Sequence, residues 1–331
     1  MKFMRLNITL FLFLLCIIPW SSAIGQSFGE DRAGTESFQF TKIAVDPRSA
    51  AMGNSNMADA IDGSSLYWNP ALAARLTGSH LMISHTAYFV GINQDYFSYI
   101  HKVGTFALGG SLQYLNSGDI RETTEFQPFG TGRTFSTQHF AVGLSGAHQV
   151  TELFSYGISL KFLMEKIEEI DYSTGAIDFG FSYLVGDTGL RFAVGINNFG
   201  LDANSSGVTK RETLNGNEEI EPDAVSSLPT RFHIGAAYDL FDDDQNKLIV
   251  TGQITNPSDN AEQFNIGAEY SFMRQFFVRT GYEFGVEERK IPSLGAGVEL
   301  NVMNKVFKAD YAYTMYERLG EIHRIAISFS L

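Results

Sequence analysis

The chain has 331 residues, a single cysteine, 24 basic against 37 acidic residues, and a net charge of −13. Such an acidic chain is a poor partner for nucleic acid or an anionic membrane surface, and one cysteine excludes a disulfide framework. Hydrophobic residues make up 44%, with 28 Phe and 14 Tyr beside 32 Gly, yet no long apolar run follows residue 18, which excludes a bundle of membrane-spanning helices.

The first residues read as a signal peptide, residues 1–25. Lys2 and Arg5 precede an apolar run from Leu10 to Ile18, then Pro19 and the small residues Ser21, Ser22 and Ala23, with cleavage after Ala23 or Gly25. The run is shorter than the ~20 residues that cross a bilayer. Cys16 sits inside it, after Leu15, which does not suit a lipid-anchored cysteine. Removing the leader takes the basic count from 24 to 22 and the net charge to −15. It also removes the only thiol, so no thiolate metal site is expected.

Residues 26–78 break the pattern of the rest and are expected to form an N-terminal plug. Small residues (Ala50, Ala51, Gly53, Ser55, Ala58, Ala60) permit close backbone packing. Asp62, Gly63, Ser64 and Ser65 form a turn cluster. Asn69 then Pro70 make a helix start, predicting a short helix from Pro70 to about Leu76 that ends near Gly78. The runs Asp46-Pro47-Arg48-Ser49-Ala50-Ala51-Met52-Gly53, Ala58-Asp59-Ala60 and Tyr67-Trp68-Asn69-Pro70-Ala71-Leu72 resemble the N-terminal segment of the PorV/PorQ family, relatives of FadL-type outer-membrane transporters in which this segment forms a hatch. The resemblance implies a barrel of fourteen strands. It marks Met52, Gly53, Asp59, Trp68, Asn69 and Pro70 as hatch residues. For PorV it implies a role in type IX secretion: binding secreted proteins with C-terminal sorting domains and passing them from the translocon to the surface attachment machinery.

Residues 79–331 divide into about fourteen segments of roughly ten residues with period-two alternation, the length a tilted transmembrane strand needs. They are Ser79–Tyr88, Gln94–Lys102, Thr105–Asn116, Thr134–Ala147, Leu153–Lys166, Tyr172–Val185, Gly189–Asn198, Thr230–Asp239, Lys247–Asn256, Gln263–Phe272, Gln275–Phe284, Ile291–Val302, Lys305–Met315 and Glu321–Leu331. Leu190, Phe192, Val194 and Ile196 share one face, and Arg191, Ala193, Gly195 and Asn197 the other. Phe264, Ile266, Ala268 and Tyr270 likewise oppose Asn265, Gly267, Glu269 and Ser271. One segment alone also suits a half-buried soluble sheet. Fourteen in series predict an all-β class: a closed antiparallel barrel surrounded by outer-membrane lipid, because open edges do not persist in lipid.

The longest connections, Ser117–Arg133 and Phe199–Pro229, follow the third and seventh segments and so emerge on one side. Short turns lie on the other, the outer-membrane arrangement that leaves both termini in the periplasm. The second long connection is polar and acidic (Glu218, Glu219, Glu221, Asp223) and reads as mobile. The first holds Phe126, Pro128 and Phe129, apolar residues that ask for a partner when exposed. Gly109-Gly110 interrupts the third segment, the mark of a bulge or a close backbone approach; the resemblance to FadL-type barrels, in which a kinked early strand opens the wall sideways, implies a lateral opening there. The chain stops on Ile325, Ile327, Phe329 and Leu331, an amphipathic end that resembles the C-terminal signal of outer-membrane barrels.

No catalytic motif is present: no H-E-x-x-H, G-x-S-x-G or phosphate-binding glycine loop. No enzyme activity, cofactor or metal is expected. His80 and His85 are spaced to face opposite sides of a strand, and Asp242-Asp243-Asp244 reads as a solvated turn before a calcium site. The inward charges Arg191, Arg231, Glu269, Arg279, Glu283, Glu299, Lys308 and Asp310 are the candidate polar lumen residues. They either fill the interior or line a path gated by the plug. The alternative function is a FadL-like passive transporter of hydrophobic small molecules.

Overall fold

The computed structural model describes residues 32–213, 216–220, 226–286, 288–303 and 305–331. The expected signal peptide with Cys16, and Glu221 and Asp223, lie outside the described residues. The barrel strands are β1 Ser79–Ala87, β2 Asn93–Val103, β3 Phe106–Asn116, β4 Thr137–Gln149, β5 Phe154–Ile167, β6 Ile170–Leu184, β7 Leu190–Gly200, β8 Arg231–Asp242, β9 Asn246–Pro257, β10 Gln263–Phe272, β11 Phe276–Phe284, β12 Ser293–Val302, β13 Lys305–Tyr316 and β14 Gly320–Ser330. Each pairs antiparallel with the next, and β14 returns to β1 through His80↔Ser330 to Ala87↔His323, so these fourteen strands close on themselves. Closure leaves no open strand edge, which hydrocarbon surroundings demand.

Alternation sets the two faces. Phe192, Phe264 and Tyr311 point outward with 43%, 53% and 40% of their surface exposed, while Arg191, Asn265 and Asp310 beside them are buried. Outward aromatics gather at both rims, as with Phe264 and Phe272 on β10 or Phe284 and Phe276 on β11. Eight residues of strand span about 26 Å at 3.3 Å per residue. Tilt of about 40° brings this near 20 Å of height, close to the apolar band of an outer-membrane barrel.

The long connections share one rim, and β1 and β14 bring the chain ends to the other. The β3–β4 connection folds back on itself: Ile120–Arg121 pairs with Thr134–Phe135. β4 therefore starts at Thr137 and not at Thr134. The β7–β8 connection, expected to be mobile, carries a strand, Asn204–Ser206, that extends the sheet beside β6, and a hairpin of Thr209–Thr213 with Gly216–Ile220. Polar composition said nothing against backbone pairing.

The expected opening at Gly109-Gly110 is overturned. The β2–β3 and β3–β4 ladders both run through these residues without a change of register. Gly109 instead makes room for the plug: a Cβ there would lie 2.8 Å from Leu66 Cδ1. The wall is irregular elsewhere. Between β6 and β7 the register shifts at Asp178, which faces Asn197 and Asn198. There the Asn198 N–H donates to Asp178 Oδ1 at 2.7 Å, so a carboxylate replaces the missing rung.

Residues 32–78, the described ones before β1, form the plug inside the barrel. Helix α1, Pro47–Ala51, starts where Asp46 Oδ2 accepts from the Ser49 N–H at 2.7 Å and Pro47 occupies the first turn. Helix α2, Ser65–Trp68, follows the Asp62 turn, in which Asp62 Oδ1 accepts from the Ser64 N–H. The short helix expected from Pro70 to about Leu76 is a 3₁₀ helix, Pro70–Arg75. Its cap is nonetheless Asn69, whose Oδ1 accepts from the Ala71 N–H at 3.0 Å. The six residues from Pro70 to Arg75 end at an extended Leu76.

Candidate functional site

The lumen is closed by a layer of plug backbone seated on glycines. On β10 the successive lumen-facing residues are Asn265, Gly267 and Glu269. On β11 they are Glu283, Gly281 and Arg279. A Cβ on Gly267 would lie 2.5 Å from Met52 O, and one on Gly281 would lie 2.1 Å from Met52 C. Gly295 meets Ala51, Gly157 meets Pro70 and Ala71, Gly180 meets Asn69, and Gly195 meets Met57. Glycines from strands on several sides of the wall thus face the plug at contact distance, and at Gly157, Gly267 and Gly281 a side chain would collide with plug backbone. Gly53, with φ +63, takes a backbone shape natural to glycine while it packs on Tyr282 and Gly281.

Cavities lie on either side of this layer. The one on the long-loop side, about 200 Å³, is lined by Asn54, Trp68, Arg231, Gln253, Asn265 and Glu283 among others. The other, about 280 Å³, faces the chain-end rim and is lined by Arg48, Asp59, Glu269, Glu299 and Lys308 among others. Asn265 and Glu269 are four residues apart, so about 13 Å of strand separates the two along this wall.

Ion pairs tie the plug to the wall below this layer. Arg48 donates to Glu269 through Nε at 2.8 Å and Nη2 at 2.9 Å, and to Asp59 through Nη2 at 2.6 Å. Glu269 also accepts from Arg279, which shares its rung, and Arg279 reaches Asp310 at 2.6 Å. That last bond crosses Gly297, where a Cβ would collide with Asp310 Oδ1. Asp59 continues the chain to Arg191 at 2.9 Å, and Arg191 binds Asp239 in bidentate fashion. Lys308 lies over the Phe277 ring at 4.6 Å and faces Glu299 across its rung. Above the layer, Arg231 stands apart: it donates to Thr41 O and covers the Tyr67 ring. Glu283 takes Arg289 and Asn54.

Arg48, at the centre of this network, and the lumen glycines were not singled out in the sequence. Arg48 lies in the plug, outside the alternating strands that carry the signal for inward charges. Small residues at every second position opposite the aromatics, such as Gly195 and Gly267, were the visible trace of the seat. His80 and His85 face opposite sides of β1. Asp243 Oδ1 accepts from the Gln245 and Asn246 N–H groups, and Asp242 pairs with Lys247 and Arg274. The β3–β4 connection is pinned at its base by Glu122 N–H to Arg133 O, and its tip presents Phe126, Pro128 and Phe129 to solvent, Phe129 with 93% of its surface exposed.

The family model for "Type IX secretion system protein PorV" matches residues 26–257, spanning the plug and nine of the strands. The chain belongs to the PorV family. That membership and the barrel place it in the outer membrane as a component of type IX secretion. No curated protein is matched by the sequence. Among solved structures, it is similar to the toluene transporter TbuX of Ralstonia pickettii, at 14% identity over 86% of this chain and 97% of that one, TM-score 0.61. The Pseudomonas putida toluene transporter TodX is similar at 11% identity over 87% of this chain and 99% of that one, TM-score 0.61. A Pseudomonas aeruginosa FadL homologue follows at 12%, 86% and 97%, TM-score 0.53. At these identities the likeness shows the fold alone, the FadL-like barrel.

One plug residue of this PorV-family chain carries a pH signature. Asp46 Oδ1 accepts from Trp68 Nε1 at 2.7 Å while Oδ2 caps α1. Burial, and then the nearby Asp62 charge, push the Asp46 carboxyl from 3.8 up to about 6. Between these values the folded plug holds a proton that the unfolded chain has released. Its stability therefore falls as pH rises from about 4 to about 6 and is level above that. Trp68 emission is expected to titrate with a midpoint near 6. The Asp46→Asn variant keeps one acceptor oxygen for these two donors, carries no titrating proton, and should be flat over the same range. A titration unchanged by that substitution would assign it to another group.

Proposed function

We propose that this barrel binds secreted proteins with C-terminal sorting domains and passes them from the translocon to the surface attachment machinery. It does so with the long loops outside the cell and both termini in the periplasm. The observation that carries this reading is the plug in the lumen. Its backbone packs on Gly157, Gly267 and Gly281 and Arg48 pairs it with the wall, so work on a large partner falls to the rim and not to the bore. Membership of the PorV family supplies the pathway, and the two longest connections sharing a rim support the orientation. The apolar tip at Phe126, Pro128 and Phe129 is the proposed docking element, since exposed aromatics on a loop held at its base suit a protein contact.

The hydrocarbon-transport reading asks for an apolar pocket beside the plug. The two cavities of about 200 and 280 Å³ at the plug are lined mainly by charged and polar side chains. The apolar hollow of about 470 Å³, with Val250, Ile266, Ala268, Thr280 and Tyr282, is formed by residues of the outward, lipid-facing wall.

The deciding experiment is affinity isolation of the chain from its own envelope, with deletion of its gene in parallel. Sorting-domain proteins or translocon subunits are expected in the eluate, and secreted proteins are expected to accumulate in the periplasm of the deletion strain. An eluate lacking both, with normal secretion, refutes the proposal. The double variant Phe126→Ser, Phe129→Ser should assemble normally in the membrane, since neither residue is buried. It should lower cargo recovery about tenfold, the loss of roughly 1.4 kcal/mol expected of one truncated aromatic anchor. Undiminished recovery would move the docking surface elsewhere on the rim.

A further inference from the structure

We propose that the outward hollow on β9, β10 and β11 holds one acyl tail of a membrane lipid, drawn from the leaflet on the long-loop side. The site is independent of the secretion reading. It measures about 470 Å³ and is lined by Val250 of β9, Ile266 and Ala268 of β10, Thr280 and Tyr282 of β11 and Pro292 just before β12. Register explains the recess. Val250, Ala268, Thr280 and Leu294 share one rung. Ile266 and Tyr282 share the next outward rung toward the long loops, and Tyr270 and Val278 the next one away from them. The floor is thus an alanine and a threonine, with larger side chains on four sides.

Nothing in the hollow asks for a polar ligand. Thr280 Oγ1 donates to Ser293 O at 3.1 Å, and the Tyr282 hydroxyl donates to Arg289 O at 2.7 Å. Both hydroxyl protons are therefore spent within the chain. The second bond, with the Phe284 ring edge-on at 4.8 Å between centroids, fixes the tyrosine wall. An apolar cavity of about 150 Å³ takes up one benzene, so this hollow has room for a stretch of hydrocarbon several times that size.

Its place in the wall names the occupant. Ala268 stands four residues from Phe264 and four from Phe272, about 13 Å of strand either way. The floor therefore lies midway between the aromatic rims, where tails reach and headgroups do not. The hollow is continuous with the lipid-facing surface: Phe264, Val278 and Leu294 around it are each more than half exposed. Tyr282 and Pro292 extend it toward the long loops, so a tail of the leaflet on that side enters it. Tails are as apolar as leucine, so packing and not water exclusion must supply the hold. On a flat wall a tail touches protein on one side. In the hollow it touches floor and walls together, and dispersion grows with the number of contacts.

The test uses the full chain reconstituted with phosphatidylcholine brominated on its tails. A tryptophan is placed beside the hollow by Leu294→Trp, or on the wall away from it, on β7, by Phe192→Trp. Trp68 is a background common to both. The sample is dissolved into an excess of mixed micelles of unbrominated lipid, and the recovery of emission is followed. Quenching at Leu294→Trp is expected to persist about tenfold longer than at Phe192→Trp, as a slower release of the held tail. Adding Ala268→Phe, or separately Ala268→Ile, fills the floor and should abolish the difference. Ala268 faces lipid, so both variants should close the barrel, and gel migration with and without heating checks this. Equal recovery at the two positions, or persistence in both filled variants, overturns the proposal. A photo-crosslinking residue at position 294 should capture lipid in the native envelope. Capture of one membrane protein there instead would assign the hollow to a protein partner and overturn the proposal as well.

Discussion

Replacing Gly281 by valine is expected to unseat the plug while leaving the barrel closed. The new Cβ would stand 2.1 Å from Met52 C and 2.3 Å from Gly53 N. Both are backbone atoms held between α1 and the wall, so no side-chain rotation relieves the clash. Overpacking of well-packed sites typically costs about 1–3 kcal/mol, and a backbone collision belongs at the upper end or beyond. The strand itself should persist, since valine suits a pleated wall and the β10–β11 and β11–β12 ladders do not depend on the glycine side. In planar bilayers the native chain should be nearly silent, and Gly281→Val should conduct. Residues of the plug should become sensitive to added protease in the same preparation. Gly252→Val is the control, because its nearest neighbour is Asn265 O at 4.0 Å and it lies on the outward face. A silent Gly281→Val channel with a protected plug would show that the layer adapts, and the reading that places work on a partner at the rim would fall with it.

This expectation draws on what could and could not be read from the residues alone. Period-two alternation is local, so the strands, the side each aromatic takes and the asymmetry of the rims were legible. Phe192 and Phe264 on one face, and Arg191 and Glu269 on the other, follow from spacing. Which glycine meets which plug atom does not, because Gly157 and Gly281 become parts of one seat only when β14 joins β1. The same holds for pairing of charges. That Glu269 and Arg279 share a rung depends on the β10–β11 register, and that Arg48 completes the set depends on where α1 lands. Gly109-Gly110 misled for a related reason. A glycine pair in a strand marks either a weak ladder or a close neighbour, and only the position of Leu66 distinguishes them. Composition likewise hid the strands of the β7–β8 connection, since backbone pairing needs no apolar side chain.

The second large effect is expected at Glu269. Alanine there removes the acceptor shared by Arg48 and Arg279 and leaves two guanidinium groups buried in the same few ångströms. Breaking one side of a buried pair typically costs about 3–5 kcal/mol; Arg48 keeps Asp59 and Arg279 keeps Asp310, which sets the expectation at the lower end. Denaturant unfolding of Glu269→Ala in lipid vesicles should show a loss of that order, with plug release preceding loss of the barrel. A double variant separates charge from packing. In Arg48→Met with Glu269→Leu, Arg279 keeps Asp310 and Asp59 keeps Arg191, so no ion is stranded. Replacing both members of a buried pair by apolar groups of similar volume is often close to neutral. The double variant is therefore expected to be more stable than Glu269→Ala alone. Removing Glu317, whose pair with Lys290 is exposed at the rim, should leave the transition unchanged, since solvent-exposed pairs contribute little. If the double variant proves as weak as the single, the plug is held by its shape on the glycine seat and not by this network.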